Sequence, residues 1–268
     1  MALLQVNFVS DSLKRTVPIQ VILPVDKPST PPYKTLYLLH GVYGNYTDWV
    51  AGTNIQRLAE ERDLAVVMPS GDNAFYLDQP MTNNNYGTYI GNELIEMTRK
   101  MFPLSHKRED TFIAGLSMGG YGALRNGLKY HQTFSHIAAL SSAVYIYESP
   151  MSTGDNVEFF ETKEYMEQIF GDLKNVNESD KNPVWIAGQL AEQHLAVPDI
   201  YLACGKDDAL LPHNQRLYKE LTDLNIPVSY TEDEGAHEWD FWNRYIKKVL
   251  DWLPLNPVSQ GINSGNIC

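Results

Sequence analysis

Hydrophobic and polar positions alternate over Leu4-Gln5-Val6-Asn7-Phe8-Val9 and again over Val17-Pro18-Ile19-Gln20-Val21-Ile22-Leu23. A period of two sends successive side chains to opposite faces of an extended chain, so two opening antiparallel strands are predicted. The pattern then changes. Thr35 to His40, Leu64 to Pro69, Phe112 to Leu116, Ile137 to Ser141 and Asp199 to Cys204 are short, almost unbroken apolar runs, and Val228 to Thr231 follows them. Runs of that kind belong to strands covered on both faces. Helical stretches lie between and after them: Thr47 to Glu60 with Thr47 as cap, Asn92 to Met101 ended by Pro103, Met118 to Lys129, and Phe241 to Trp252. The prolines and polar residues of Asp26 to Pro32 mark a loop. Buried strands alternating with helices predict an α/β fold: a mostly parallel central sheet with helices on both faces.

One stretch breaks this rhythm. From about Tyr145 to Ala196 the chain carries Val157-Glu158-Phe159-Phe160, then Tyr165 to Gly171, then the polar run Lys174 to Asn182. It reads as a small helical, cap-like insertion able to lie over a site at the sheet's edge; a peripheral elaboration without a chemical part is the alternative. Residues 1–268 are expected to form a single domain, since a chain of 268 residues can bury one large core. The polar, glycine-containing tail from Asn256 to Cys268 is expected to be mobile.

Composition narrows the partners. A formal net charge of −12 makes phosphate backbones and anionic membrane surfaces poor partners, although scattered surface acidity is the plainer meaning of that charge. No apolar run approaches the roughly 18 residues of a membrane span. The first residues, Met1-Ala2-Leu3-Leu4-Gln5-Val6-Asn7, lack the basic-then-apolar order of a signal peptide, so a cytoplasmic location is expected. Cys204 and Cys268 do not make a disulfide framework. His106, His131, His136, His194 and His213 lack zinc-ligand spacing, and no metal or organic cofactor is expected.

The chemistry is concentrated in four short segments. Gly115-Leu116-Ser117-Met118-Gly119 follows the strand-like run ending at Ala114 and opens the helix that begins at Met118. A serine on a sharp turn between strand and helix is the nucleophile elbow of α/β-hydrolases, and its flanking glycines relieve a strained backbone. A serine hydroxyl needs a base within hydrogen-bond reach, and this fold supplies it in the order Ser…Asp/Glu…His. The acid belongs in the loop after a late strand. Gly205-Lys206-Asp207-Asp208 stands there, and only one of its two aspartates can meet an imidazole. Asp233 and Asp240 are weaker options because they flank the histidine in sequence. His237 follows the last strand and is the candidate base, with helix capping as its alternative role. An oxyanion hole would use the N–H of Met118, after the nucleophile, and that of Val42 in the loop His40-Gly41-Val42-Tyr43-Gly44-Asn45-Tyr46. A plain glycine turn is the other reading of this loop, and His40 reads as a structural hydrogen-bonder rather than a second base.

The segments HGVYGNYTDW (from His40), AGLSMGGYGA (from Ala114), CGKDDALLPHNQ (from Cys204) and EGAHEWDFW (from Glu234) together resemble the esterase D-like α/β-hydrolases, and most of all the bacterial tributyrin esterases. Phe170-Gly171-Asp172-Leu173 and Asn182-Pro183 resemble that group's insertion. The resemblance implies a serine carboxylesterase that cleaves short-chain acyl esters of small molecules through an acyl-enzyme, with acetyl-xylan and feruloyl esterases as relatives. It implies Ser117 as nucleophile, His237 as base, Asp208 rather than Asp207 as the acid, and Val42 and Met118 as oxyanion donors. S-formylglutathione hydrolases share the elbow but carry a Thr-Cys-Thr type sequence where this chain has Tyr43-Gly44-Asn45. An acyltransferase on the same triad is a rival, a non-catalytic scaffold a remote one, and a homo-oligomer is left open. Tyr43, Trp49, Tyr86 and Trp239 are candidate walls of an acyl or alcohol pocket, with burial in the core as their alternative.

Overall fold

In the computed structural model, residues 1–25, 31–144 and 158–255 are described. Most of the 26–32 loop, the first part of the insertion (145–157) and the tail 256–268 lie outside them. The alternating opening segments form β1 (Ala2–Ser10) and β2 (Arg15–Leu23), paired antiparallel with Ala2 opposite Leu23. The apolar runs form β3 (Thr35–Leu39), β4 (Ala65–Pro69), β7 (Thr111–Leu116), β8 (His136–Leu140), β9 (Asp199–Gly205) and β10 (Val228–Asp233). With β1 and β2 they build one eight-stranded sheet in the order β1-β2-β4-β3-β7-β8-β9-β10. From β4 to β10 every neighbouring pair is parallel, whereas β2 meets β4 antiparallel. The small pair β5 (Asp78–Gln79) and β6 (Asn84–Asn85) stands apart.

Alternation along each central strand divides the core in two. Tyr37, Leu39, Ala65, Val67 and Ile113 pack on one face; Leu36, Leu38, Val66, Met68, Phe112 and Ala114 pack on the other. The first face is covered by α4 (Leu94–Met101), α5 (Met118–Lys129), α7 (Pro183–Glu192) and α8 (Leu211–Asp223). The second is covered by α1 (Asp48–Gly52), α2 (Ile55–Glu60) and α9 (Trp239–Trp252). This is the expected α/β-hydrolase architecture, and the parallel strands direct their carboxyl ends, and hence the site loops, to one edge.

Three elements differ from the pattern-based expectation. The helix expected over Thr47 to Glu60 is two short helices, because Thr53 is extended (φ −142°, ψ 174°). Thr47 makes no capping bond there; its hydroxyl donates instead to Asn45 Oδ1 at 2.8 Å. The helix before Pro103 begins earlier, with a turn α3 (Tyr86–Thr88) and a π-helical segment (Tyr89–Glu93) leading into α4. Helix α8 was not anticipated, since its polar composition hides the single face carried by Leu217 and Leu221. In the described part of the insertion, α6 (Lys163–Phe170) and α7 are helical as expected. Among the described residues no helix is long and apolar enough to cross a membrane.

Candidate active site

The elbow is built by close backbone packing. Ser117 sits at φ 53°, ψ −119°, between the end of β7 and the first turn of α5. A Cβ on Gly115 would lie 2.2 Å from the Gly119 carbonyl oxygen, and one on Gly119 would lie 2.4 Å from that of Leu39. Glycine is required at both positions by this approach. Neighbouring loops then lock the turn: Ser117 N–H donates to Leu140 O at 2.9 Å, and Ala143 N–H donates to Ser117 O at 3.0 Å. Backbone at positive φ recurs along this edge, at Tyr43 (67°) after β3 and Ser141 (47°) after β8. Such strain gathers where a fold over-determines a functional geometry.

Of the two adjacent aspartates, Asp208 meets the imidazole. His237 Nδ1 donates to Asp208 Oδ2 at 2.9 Å; the Asp208 side chain is wholly buried, and that of His237 is 37% exposed. Leu210 N–H donates to Asp208 Oδ1 at 2.8 Å. Burial alone would raise the Asp208 pKa, but the hydrogen bond and charge of His237, aided by Leu210 and the Ser141 hydroxyl, outweigh it and leave the carboxyl below its ordinary value. Asp207 is exposed, and its N–H donates to Gly235 O at 3.0 Å, which ties the acid loop to the loop before His237. Asp233 accepts from Lys248 Nζ and Tyr245 OH at 3.1 and 3.0 Å, and Asp240 is exposed on the first turn of α9.

Trp242 packs edge-on against His237, with ring centroids 4.9 Å apart, and its indole N–H donates to Ser141 Oγ at 3.2 Å. One side chain therefore touches His237 while its hydrogen bond reaches Ser141, whose hydroxyl faces Asp208. Gly41 brings the β3 loop against the elbow, since a Cβ there would lie 2.8 Å from Leu116 Cδ1. Neither Val42 N–H nor Met118 N–H has an acceptor among the described residues; Val42 lines the same cavity as Ser117, and Met118 follows Ser117 at the helix start. The unused Met118 amide at the N-terminus of α5 suits an anion. His40 is buried and structural. Gly71 N–H donates to its Nε2 at 2.8 Å, so Nδ1 carries the proton that bonds Gly41 O at 2.7 Å, and burial lowers its pKa.

A cavity of about 1030 Å³ opens over Ser117 and His237. Its described walls include Val42, Tyr43 and Phe75 on one side, Leu210, His213, Trp239 and Trp242 on another, and Phe160 and Glu161 from the insertion. Among the described residues no group of three or more His, Cys, Asp or Glu side chains could hold a metal ion.

Residues 10–253 match the model of the family described as "Putative esterase". The chain belongs to this esterase family. An acetyl esterase of Caldicellulosiruptor saccharolyticus is 46% identical over 261 residues, spanning 94% of this chain and 98% of that one. Among solved structures, the S-formylglutathione hydrolase FrmB of Staphylococcus aureus superposes with a TM-score of 0.82 at 31% identity, covering 94% of this chain and 98% of its own. FphF, a fluorophosphonate-binding serine hydrolase of the same organism, superposes with a TM-score of 0.82 at 30% identity and the same coverage.

In this member of the esterase family, Phe160 and Glu161 from the described part of the insertion line the cavity. Tyr43 OH donates to Glu158 Oε2 at 2.8 Å, and its ring meets those of Phe159 and Phe160 at 5.5 and 6.2 Å. Tyr165 OH donates to Asn73 O, and Tyr43 N–H donates to Asn73 Oδ1 at 2.9 Å. Of the four aromatic candidates, Tyr43 and Trp239 line the cavity. Trp49 lies beneath Trp239 with its N–H on Leu39 O at 3.0 Å, and Tyr86 is buried in a cluster with Arg15 and Asp72. Motif reading missed Phe160, Glu161, His213, Glu238 and Trp242 as lining residues. The last three lie inside the motif segments, but no spacing rule says which way they face.

Proposed function

We propose that this esterase is a serine carboxylesterase acting on short-chain acyl esters of small molecules, through an acyl-enzyme. The observation that carries the reading is the 2.9 Å bond from His237 Nδ1 to the buried Asp208, in a cavity shared with Ser117 on its strained elbow. In this reading Nδ1 holds its proton toward Asp208, which leaves Nε2 free to take the Ser117 proton. The Ser117 Oγ attacks the ester carbonyl, and the negative oxygen of the tetrahedral intermediate is held by the Val42 and Met118 amides. Collapse breaks the ester C–O bond, and the imidazolium returns its proton to the leaving alcohol. Water, deprotonated by His237, then attacks the acyl-enzyme and releases the acid and Ser117.

The preference for short acyl groups is supported by the acetyl esterase relative at 46% identity. Hydrolysis of p-nitrophenyl esters from acetate to decanoate, with Ser117→Ala as control, tests the reading. Activity greatest at two to four carbons and lost in the variant is expected. Inertness on every chain length, or an equally active Ser117→Ala, would overturn it.

A further inference from the structure

The cavity around Ser117 is lined by three carboxylates besides the one bonded to His237: Asp48, Glu161 and Glu238. They come from three separate elements, the start of α1, the insertion and the turn after His237. None of the three forms an ion pair with a lysine or arginine among the described residues. No lysine or arginine is among the described lining residues, whose basic side chains are the imidazoles of His213 and His237.

We infer that the site selects esters by charge, taking neutral and cationic alcohol groups and rejecting anionic ones. The inference rests on the proposed esterase reading and adds a substrate class to it. A cleft of one sign with apolar walls, here Phe160, Trp239 and Trp242, focuses its field on whatever enters. An anionic group must give up hydration there without gaining a cationic partner, whereas a cation gains both carboxylates and aromatic faces. Glutathione bears two carboxylates against one ammonium, so its thioesters fall in the rejected class. The structural likeness to an S-formylglutathione hydrolase therefore extends to the fold and not to that leaving group.

The test compares kcat/KM for three acetates of similar size: acetylcholine, its neutral isostere 3,3-dimethylbutyl acetate, and anionic 2-sulfoethyl acetate. The wild type is expected to favour the cation over the anion by about tenfold or more at low salt, with the neutral ester between. Raising salt to about 0.5 M and the double variant Glu161→Gln/Glu238→Gln should each reduce that ratio about threefold or more. The ratio is the readout, so a general loss of activity in the variant divides out. Hydrolysis with a cation-to-anion ratio near one, or a ratio that neither change lowers, overturns the charge selection alone. Inertness toward all three acetates and p-nitrophenyl acetate overturns the esterase reading and this inference with it.

Discussion

Ser117 occupies a backbone conformation that an L-residue adopts only under constraint, and the constraint is the contact of Gly119 with Leu39 and of Gly115 with Gly119. Gly119→Ala would force a Cβ to 2.4 Å from a carbonyl oxygen, so a loss of at least about 2 kcal/mol is expected in urea unfolding. In the proposed triad, Asp208→Asn keeps the shape but can present an amide N–H to His237 Nδ1, which favours the unproductive tautomer. In the proposed mechanism kcat on p-nitrophenyl acetate should fall on the order of 10³–10⁴, with the circular dichroism spectrum unchanged. Trp242→Phe keeps an edge against His237 and removes the donor to Ser141. Loss of one such bond, worth about 1 kcal/mol, should lower kcat about fivefold and leave KM within about twofold. At this scale the placement of Ser117 on a strand-to-helix turn and of His237 after the last strand was legible, because the glycine-flanked motif and the strand order single them out. Asp208 was separable from Asp207 only by resemblance, because adjacent loop residues have identical chemistry and differ in direction.

The described part of the insertion is fastened to α5, the helix that follows Ser117. Arg125 on α5, 2% exposed, bonds Asp180 Oδ2 at 2.6 Å and Asp180 O at 2.9 Å; Lys129 Nζ reaches the same Oδ2 at 2.6 Å, and Tyr121 OH donates to Lys181 O at 2.6 Å. The partly exposed Asp180 carboxylate tempers the gain, but its removal leaves Arg125 with a buried, less compensated charge. Asp180→Asn should cost about 1–3 kcal/mol, read from chemical unfolding. Burial raises the Asp180 pKa, yet Arg125 and Lys129 outweigh it and the net shift is downward. Its stabilising contribution is therefore present above the unfolded carboxyl pKa and is lost as pH falls through the lower folded value. Relative to wild type, Asp180→Asn should flatten the stability curve below about pH 4. The strands and α5 were legible because unbroken apolar runs and a glycine-flanked serine leave little choice. The break at Thr53 was not, since Asn54 N–H is taken by Asn243 Oδ1 at 2.9 Å, a partner 189 residues away.

Across the molecule the shifted acids and histidines act in one direction. Burial lowers the pKa of His40 and of His136, so below the unfolded value of 6.5 the unfolded chain takes up protons that the folded one refuses. The lowered carboxyls of Asp208, Asp180 and Glu93 extend the same trend to lower pH. Tm measured at about 0.15 M salt, where surface repulsion is screened, should fall steadily from pH 7 to pH 4; a maximum inside that range would contradict the assignment. The sequence by itself determined the sheet's core strands, the two covered faces and the placing of Ser117, the Asp207-Asp208 pair and His237 after successive strands, because periodicity and turn chemistry are local and each motif sits at a strand end. Only the tertiary structure showed that Asp208 is buried against His237 while Asp207 faces solvent, that Trp242 leans on His237, and that Phe160 and Glu161 stand in the same cavity as Ser117. Those contacts join residues tens of positions apart, and their directions follow from how loops pack at the carboxyl edge of the sheet, which no local pattern records.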